Sequence, residues 1–159
     1  MTTTLEELKD WWLSQPTSSF KPVEVRNSGN RMSIIAYRNP PYQIELVMWG
    51  PGCVVPAHYH PNIDALALAV SGELVLLLAY SEARVNDLVG RARTWKASTL
   101  KDPIRIGPSV WHGGKASEKG ASFWSFQRWT DGAKISAAGV DWVGPPLVEP
   151  KMMGVSSDD

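Results

Sequence analysis

The sequence predicts a single all-β domain that is preceded by one short helix. Three observations predict it: glycine (13) and proline (12) recur at short intervals, the segments between them are apolar or alternating, and 159 residues suffice for one core. Short apolar segments separated by turn residues are typical of β-sandwiches and barrels. We expect the helix within residues 1–17, the barrel within residues 20–145 and an extended or disordered tail over residues 146–159.

The N-terminal helix is predicted by its capping residues. Thr4 stands three residues before Glu7, so each side chain can accept a hydrogen bond from the other residue's backbone N–H. Pro16 ends the segment. About ten residues are too few for a stable isolated helix, so we expect it to pack across the sheet. Its apolar face would carry Leu5, Leu8 and Trp12.

Eight segments are predicted as strands, and turn residues separate them. Ser71-Gly72 lies between two apolar runs and predicts a tight hairpin, and Glu118-Lys119-Gly120 predicts a second turn. We expect a polar connection over residues 81–90 and a turn at Asp131-Gly132. The candidate strands are Val23–Arg26, Met32–Tyr37, Gln43–Trp49, Ala65–Val70, Glu73–Ala79, Arg93–Lys96, Ile104–Ile106 and Phe123–Trp129.

Charge and cysteine content exclude several classes of protein. The chain has 16 basic and 16 acidic residues, so nothing favours binding to nucleic acid or to an anionic membrane surface. A single cysteine, Cys53, cannot form an internal disulfide and is interpreted as a small buried side chain. We find no secretory signal and no apolar run long enough to span a bilayer, so a cytoplasmic location is expected.

The three histidines of the chain predict a metal site. His58 and His60 are two residues apart, so on an extended strand both imidazoles point to the same side. Two imidazoles on one face are half of a site for a divalent ion. His112 follows another predicted strand about fifty residues later and is the candidate third ligand.

At these residues the chain resembles the cupin superfamily. Gly52, His58, His60 and Gly72 are in register with its first motif, whereas only His112 matches the second. The resemblance implies a single cupin barrel, also called a double-stranded β-helix or jelly roll, and a homodimer. Ala65 stands where many cupins have a glutamate ligand. Because strand neighbours face opposite sides, we expect Asp64 to point away from the metal, which leaves a three-histidine site.

A three-histidine site predicts one divalent metal ion, with Fe(II) favoured and zinc, manganese or nickel as alternatives. The missing glutamate resembles the three-histidine iron(II) dioxygenases of the superfamily, so an oxidoreductase that acts on a small molecule is the first candidate. The second is a non-redox lyase, isomerase or hydrolase, in which a side chain or bound water moves a proton. The third is a non-catalytic, ligand-binding cupin.

Alternation also predicts which side chains surround the metal. A row of small residues, Ala65, Ala67 and Ala69, would share the face of the histidines and leave space for a substrate. Glu45 is a candidate fourth ligand or base, although a solvated strand face is the simpler interpretation. If Phe123, Ser125 and Gln127 face inward, Gln127 can hydrogen-bond a substrate; otherwise Arg128 can bind a carboxylate. We expect Tyr59 to be a packing residue and Trp111 to lie in the core or a pocket wall.

Overall fold

A computed structural model describes residues 3–16, 21–79, 93–96, 102–108 and 110–130. Over these residues the chain forms an antiparallel sheet in the order β1-β2-β3-β8-β5-β6, in which β4 also pairs with β8 and β7 with β5. The predicted all-β class is confirmed. The elements are α1 (Leu5–Leu13), β1 (Glu24–Asn27), β2 (Arg31–Asn39), β3 (Tyr42–Trp49), β4 (Val54–His58), β5 (Ile63–Ala79), β6 (Arg93–Lys96), β7 (Ile104–Ile106) and β8 (Trp111–Trp129).

Helix α1 begins at the predicted capping box. The backbone N–H of Glu7 donates to Thr4 Oγ1 at 3.1 Å, and the backbone N–H of Thr4 donates to Glu7 Oε2 at 2.8 Å. The buried side of α1 packs across the outer face of the sheet, as the short length of the helix required. The apolar cluster between them consists of Leu5, Leu8, Ile44, Leu66 and Phe126, with Trp12, Leu68 and Trp124 at its margin.

Two long strands form the centre of the sheet, and here two turn predictions are wrong. Ser71-Gly72 lies inside β5 and Glu118-Lys119-Gly120 lies inside β8. Gly72 and Gly120 both have φ +72°, and the β5–β8 register shifts around Gly72. A Cβ on Gly72 would lie 2.1 Å from the Gly120 carbonyl oxygen, so the two strands bend together at a bulge that admits only glycine.

The other predicted strands lie where the structure has strands, and the ends of most of them differ from the prediction by one or two residues. The turn at Pro40-Pro41 joins β2 to β3, with Asn39 opposite Tyr42. β4 is an additional strand that carries the first histidine. The connection over residues 81–90, the turn at Asp131-Gly132 and the tail over 146–159 lie outside the described residues. Among the described helices, none is long and apolar enough to cross a membrane.

A cluster of buried apolar side chains forms part of the core. Four of its members, Trp49, Val55, Ala67 and Leu76, also border the cavity beside the histidines. The buried members of this cluster are Trp49, Cys53, Val55, Ala67, Leu74, Leu76, Ile104, Ala116 and Ala121.

Candidate metal centre

The structure brings the three histidines together. His58 ends β4 and lies opposite His112 in the ladder between β4 and β8, while His60 follows two residues after His58. The ring centroids are 4.2 Å apart for His58 and His112, 4.9 Å for His58 and His60, and 5.3 Å for His60 and His112. One nitrogen atom from each ring lies within 4.8 Å of the others. This spacing suits three ligands of a single ion.

Backbone carbonyls orient two of the rings. His58 Nδ1 lies 2.7 Å from the Pro56 carbonyl oxygen, and His112 Nδ1 lies 2.9 Å from that of Val110. A carbonyl oxygen only accepts, so the Nδ1 atom of each ring carries the proton and donates. The Nε2 atom of each of these two rings then carries the lone pair, and a histidine held in this way through Nδ1 has the usual arrangement of a metal ligand.

The surroundings keep these imidazoles neutral. Burial lowers the pKa of His58 from 6.5 to about 2, and repulsion from His112 adds to the effect. Burial lowers the pKa of His112 to about 4, again with a contribution from a neighbouring histidine, His60. A neutral imidazole is the form that binds a metal. The tautomers, the spacing and the neutral rings therefore all fit a divalent ion.

Among the described residues, no carboxylate belongs to this cluster. Ala65, at the position of the usual cupin glutamate, lines the same cavity as the histidines. Asp64 faces the other side of β5, where it accepts a hydrogen bond from Arg105 Nε at 2.8 Å. The two neighbours thus point in opposite directions, as alternation requires.

A cavity of about 350 Å³ adjoins the histidines. Ala65 and Ala67 form part of its wall, and their small side chains leave space there. Ala69 is not among the lining residues and instead packs against the buried apolar cluster that contains Trp49, so two of the three predicted alanines border the cavity. The apolar part of the wall also includes Val47, Val55, Ile63, Leu76, Ile106 and Phe123.

A chain of hydrogen bonds runs through the barrel wall to Glu45. Arg38 Nε donates to Gln43 Oε1 at 2.8 Å, Gln43 Nε2 donates to Gln127 Oε1 at 3.1 Å, and Gln127 Nε2 donates to Glu45 Oε2 at 2.8 Å. A guanidinium group can only donate, so it fixes the orientation of both amides. The Glu45 carboxylate therefore accepts a hydrogen bond from Gln127, which holds it at the cavity wall.

Two of the three predicted non-histidine site residues reach the cavity. Glu45 and Gln127 line it. Ser125 also lines it, so the face of β8 that carries Ser125 and Gln127 is the one that points inward. Arg128 is exposed on the opposite face of β8, so it is not placed to bind a carboxylate in the cavity. Trp111 is buried and packs on Tyr59 with ring centroids 5.0 Å apart, outside the cavity lining. Cys53 is buried, and burial raises the pKa of its thiol.

Two arginines that were not predicted as site residues, Arg26 and Arg31, also line the cavity. Arg26 Nε donates to Glu24 Oε1 at 2.8 Å, and Glu24 also accepts from Arg38 Nη2 at 3.2 Å. The hydrogen bond to Glu24 raises the pKa of Arg26, and the charge of Glu45 adds to this rise. Alternation along β2, which puts Arg31 and Ser33 on one face, was the signal available in the sequence.

Comparison with known proteins shows similarity in fold rather than in sequence. No protein-family model and no curated protein sequence matches this chain. KdgF from Halomonas sp. is 17% identical with a TM-score of 0.53, over 66% of this chain and 86% of that one. An RmlC-like cupin from Shewanella frigidimarina is 15% identical with a TM-score of 0.54, over 74% and 90%. Oxalate oxidase in complex with the substrate analogue glycolate is 15% identical with a TM-score of 0.55, over 75% and 66%.

Proposed function

Because the chain has the double-stranded β-helix fold of the cupins, we propose that it is a metal-dependent enzyme that acts on a small organic molecule. His58, His60 and His112 would hold one divalent ion, and the adjoining cavity would hold the substrate. The observation that carries the proposal is the convergence of three imidazoles, with one nitrogen atom of each within 4.8 Å of the others, beside that cavity.

The favoured activity is that of an iron(II) dioxygenase. Three neutral ligands leave the full charge of the ion uncompensated, and they leave coordination positions open. When bound, Fe(II) in such a site supplies binding and activation of dioxygen next to the substrate. The absence of a carboxylate from the cluster in the described residues supports this activity over a four-ligand site.

A second candidate is a non-redox lyase or isomerase with zinc, manganese or nickel. Glu45 favours it, because this carboxylate lines the cavity yet lies outside the histidine cluster. The donor from Gln127 holds one carboxylate oxygen, Oε2, which leaves Oε1 to accept a proton from a substrate. Glu45 is then the base, and Gln43 and Gln127 are positioning residues that keep it in place.

The test of the favoured activity needs no knowledge of the substrate. Protein loaded anaerobically with Fe(II) is mixed with nitric oxide, which occupies the position that dioxygen would take. A high-spin iron–nitrosyl signal in electron paramagnetic resonance is expected, and oxygen uptake should rise with members of a panel of β-diketones, thiols and phenolic acids. Absence of the signal from iron-loaded protein would contradict the dioxygenase proposal.

Replacement of Glu45 separates the two candidates. In a dioxygenase that uses the metal for all bond changes, Glu45→Gln should keep most of the oxygen uptake. In a lyase or isomerase, the same variant should lose about 10²–10⁴-fold in turnover with metal content unchanged. No turnover by metal-loaded wild-type protein in any assay, with ligand binding retained, would favour a binding protein.

The homodimer and the cytoplasmic location stay predictions. β1 is at one end of the described sheet order, and Val25 on it is 55% exposed. An unpaired edge strand with exposed apolar side chains suits pairing with a second copy. Sedimentation velocity of the purified chain tests this expectation.

A further inference from the structure

Among the described residues, the ion pairs around the cavity leave one arginine without a carboxylate partner. Glu24 forms ion pairs with Arg26 and Arg38, at 2.8 Å and 3.2 Å, and Glu45 is the second carboxylate in this group. Two carboxylates thus compensate two guanidinium groups. Arg31 lines the same cavity, and within the described ranges no carboxylate pairs with it. Its positive charge is the one that no carboxylate in this part of the structure compensates.

An uncompensated guanidinium in this position is costly unless a ligand pairs with it. Arg31 is partly buried, and its neighbours in the cavity wall include apolar side chains such as Val47 and Val55. Removing a charge from water without a partner is unfavourable. Ser33, two residues further along the same face of β2, also lines the cavity and offers a hydroxyl donor. Together they form the donor set that binds a planar anionic group.

We infer that the substrate is a small organic carboxylate whose anionic group pairs with Arg31 while its other end reaches the histidine cluster. Apart from the metal ion, the side chains around the cavity carry one excess positive charge, and a single carboxylate neutralises it. The remaining wall is largely apolar, and a volume of about 350 Å³ is near the lower end for ligand pockets. The body of the ligand is therefore compact and mostly apolar. The inference rests on the proposed function only in placing a reacting end at the metal.

The experiment compares acids with their uncharged amides. Metal-loaded protein is titrated with the pairs acetate and acetamide, butyrate and butyramide, and benzoate and benzamide, and with inorganic phosphate, by tryptophan fluorescence and calorimetry. At least one acid should bind about tenfold or more tightly than its amide. Arg31→Gln should abolish that preference, Arg31→Lys should keep part of it, and Arg128→Gln on the outer face should keep all of it.

Four results would overturn the inference: no preference for any acid, a preference that survives Arg31→Gln, phosphate that binds through Arg31 more tightly than any acid, or unfolding of Arg31→Gln and Arg31→Lys alike. Metal analysis of every sample distinguishes this failure from failure of the proposed function. Protein that holds metal without an acid preference contradicts the Arg31 site alone. Protein that shows an Arg31-dependent preference but holds no metal contradicts the proposed enzyme alone.

Discussion

The inner and outer faces of β5 and β8 differ sharply in the size and polarity of their side chains. On the inner face, Ala65 and Ala67 adjoin Ser125 and Gln127, and together they border the cavity. On the outer face, large apolar side chains lie beneath α1, with Phe126 fully buried. Because successive side chains of a strand point to opposite sides, a single stretch of sequence specifies both faces. Substitutions at neighbouring positions should therefore separate stability from binding.

The largest loss of stability is expected on the outer face. Phe126→Ala should lower the free energy of unfolding by about 3–5 kcal/mol, because it leaves a cavity among Leu5, Leu8 and Ile44. Urea denaturation measures this change. The folded fraction should bind as much metal as wild type. Arg128→Ala, two residues along and exposed, is the control and should change stability by less than about 0.5 kcal/mol.

On the inner face, Gln127→Leu should lower the free energy of unfolding by about 1–3 kcal/mol, because Gln43 Nε2 loses its acceptor and Glu45 loses its donor. Gln43→Leu should cost a similar amount. The double variant should cost clearly less than the two single variants added together, since both break the same network. Additive losses in urea denaturation would show that the hydrogen-bond chain does not act as a unit.

A smaller loss is expected where the helix begins. Thr4→Ala removes the side-chain acceptor for the Glu7 backbone N–H and should lower stability by about 1 kcal/mol. Thr3→Ala is a matched control, since the Thr3 contact with Tyr42 uses the Thr3 backbone carbonyl. If the two variants have equal denaturation midpoints, the capping box does not contribute to anchoring α1 over the sheet.

The smallest effect tests the register at the metal site. Asp64→Ala removes a surface ion pair with Arg105 and should lower stability by roughly 0.2–1 kcal/mol, with metal affinity unchanged. Ala65→Glu places a carboxylate on the cavity side and should tighten metal binding. Competition with a chelator measures both affinities. Weaker metal binding in Asp64→Ala would mean that this carboxylate supports the metal site.

The features that could be predicted from the sequence are those that depend on local spacing. The capping box at Thr4, the same-side placement of His58 and His60, and the opposite directions of Asp64 and Ala65 each follow from the repeat of a helix or strand. The metal cluster also needed His112, which its position after a predicted strand and the resemblance to the cupins suggested, although no local repeat connects it to the other two.

The features that could not be predicted depend on distant strands. Ser71-Gly72 has the sequence of a hairpin, yet it forms a bulge because Gly120 of β8 bends beside it. The hydrogen-bond chain joins Arg38 and Gln43 to Gln127, more than eighty residues away. Arg31 is an ordinary charged residue in the sequence. Its uncompensated position becomes evident only when the ion pairs of Glu24 are known.

The most direct test of the account is the metal content of purified protein after dialysis, measured by elemental analysis for iron, zinc, manganese and nickel. Wild type and Asp64→Ala should each hold about one divalent ion per chain, whereas His112→Ala should hold far less while its circular dichroism shows a folded sheet. A folded His112→Ala protein that retains as much metal as wild type would contradict the three-histidine site.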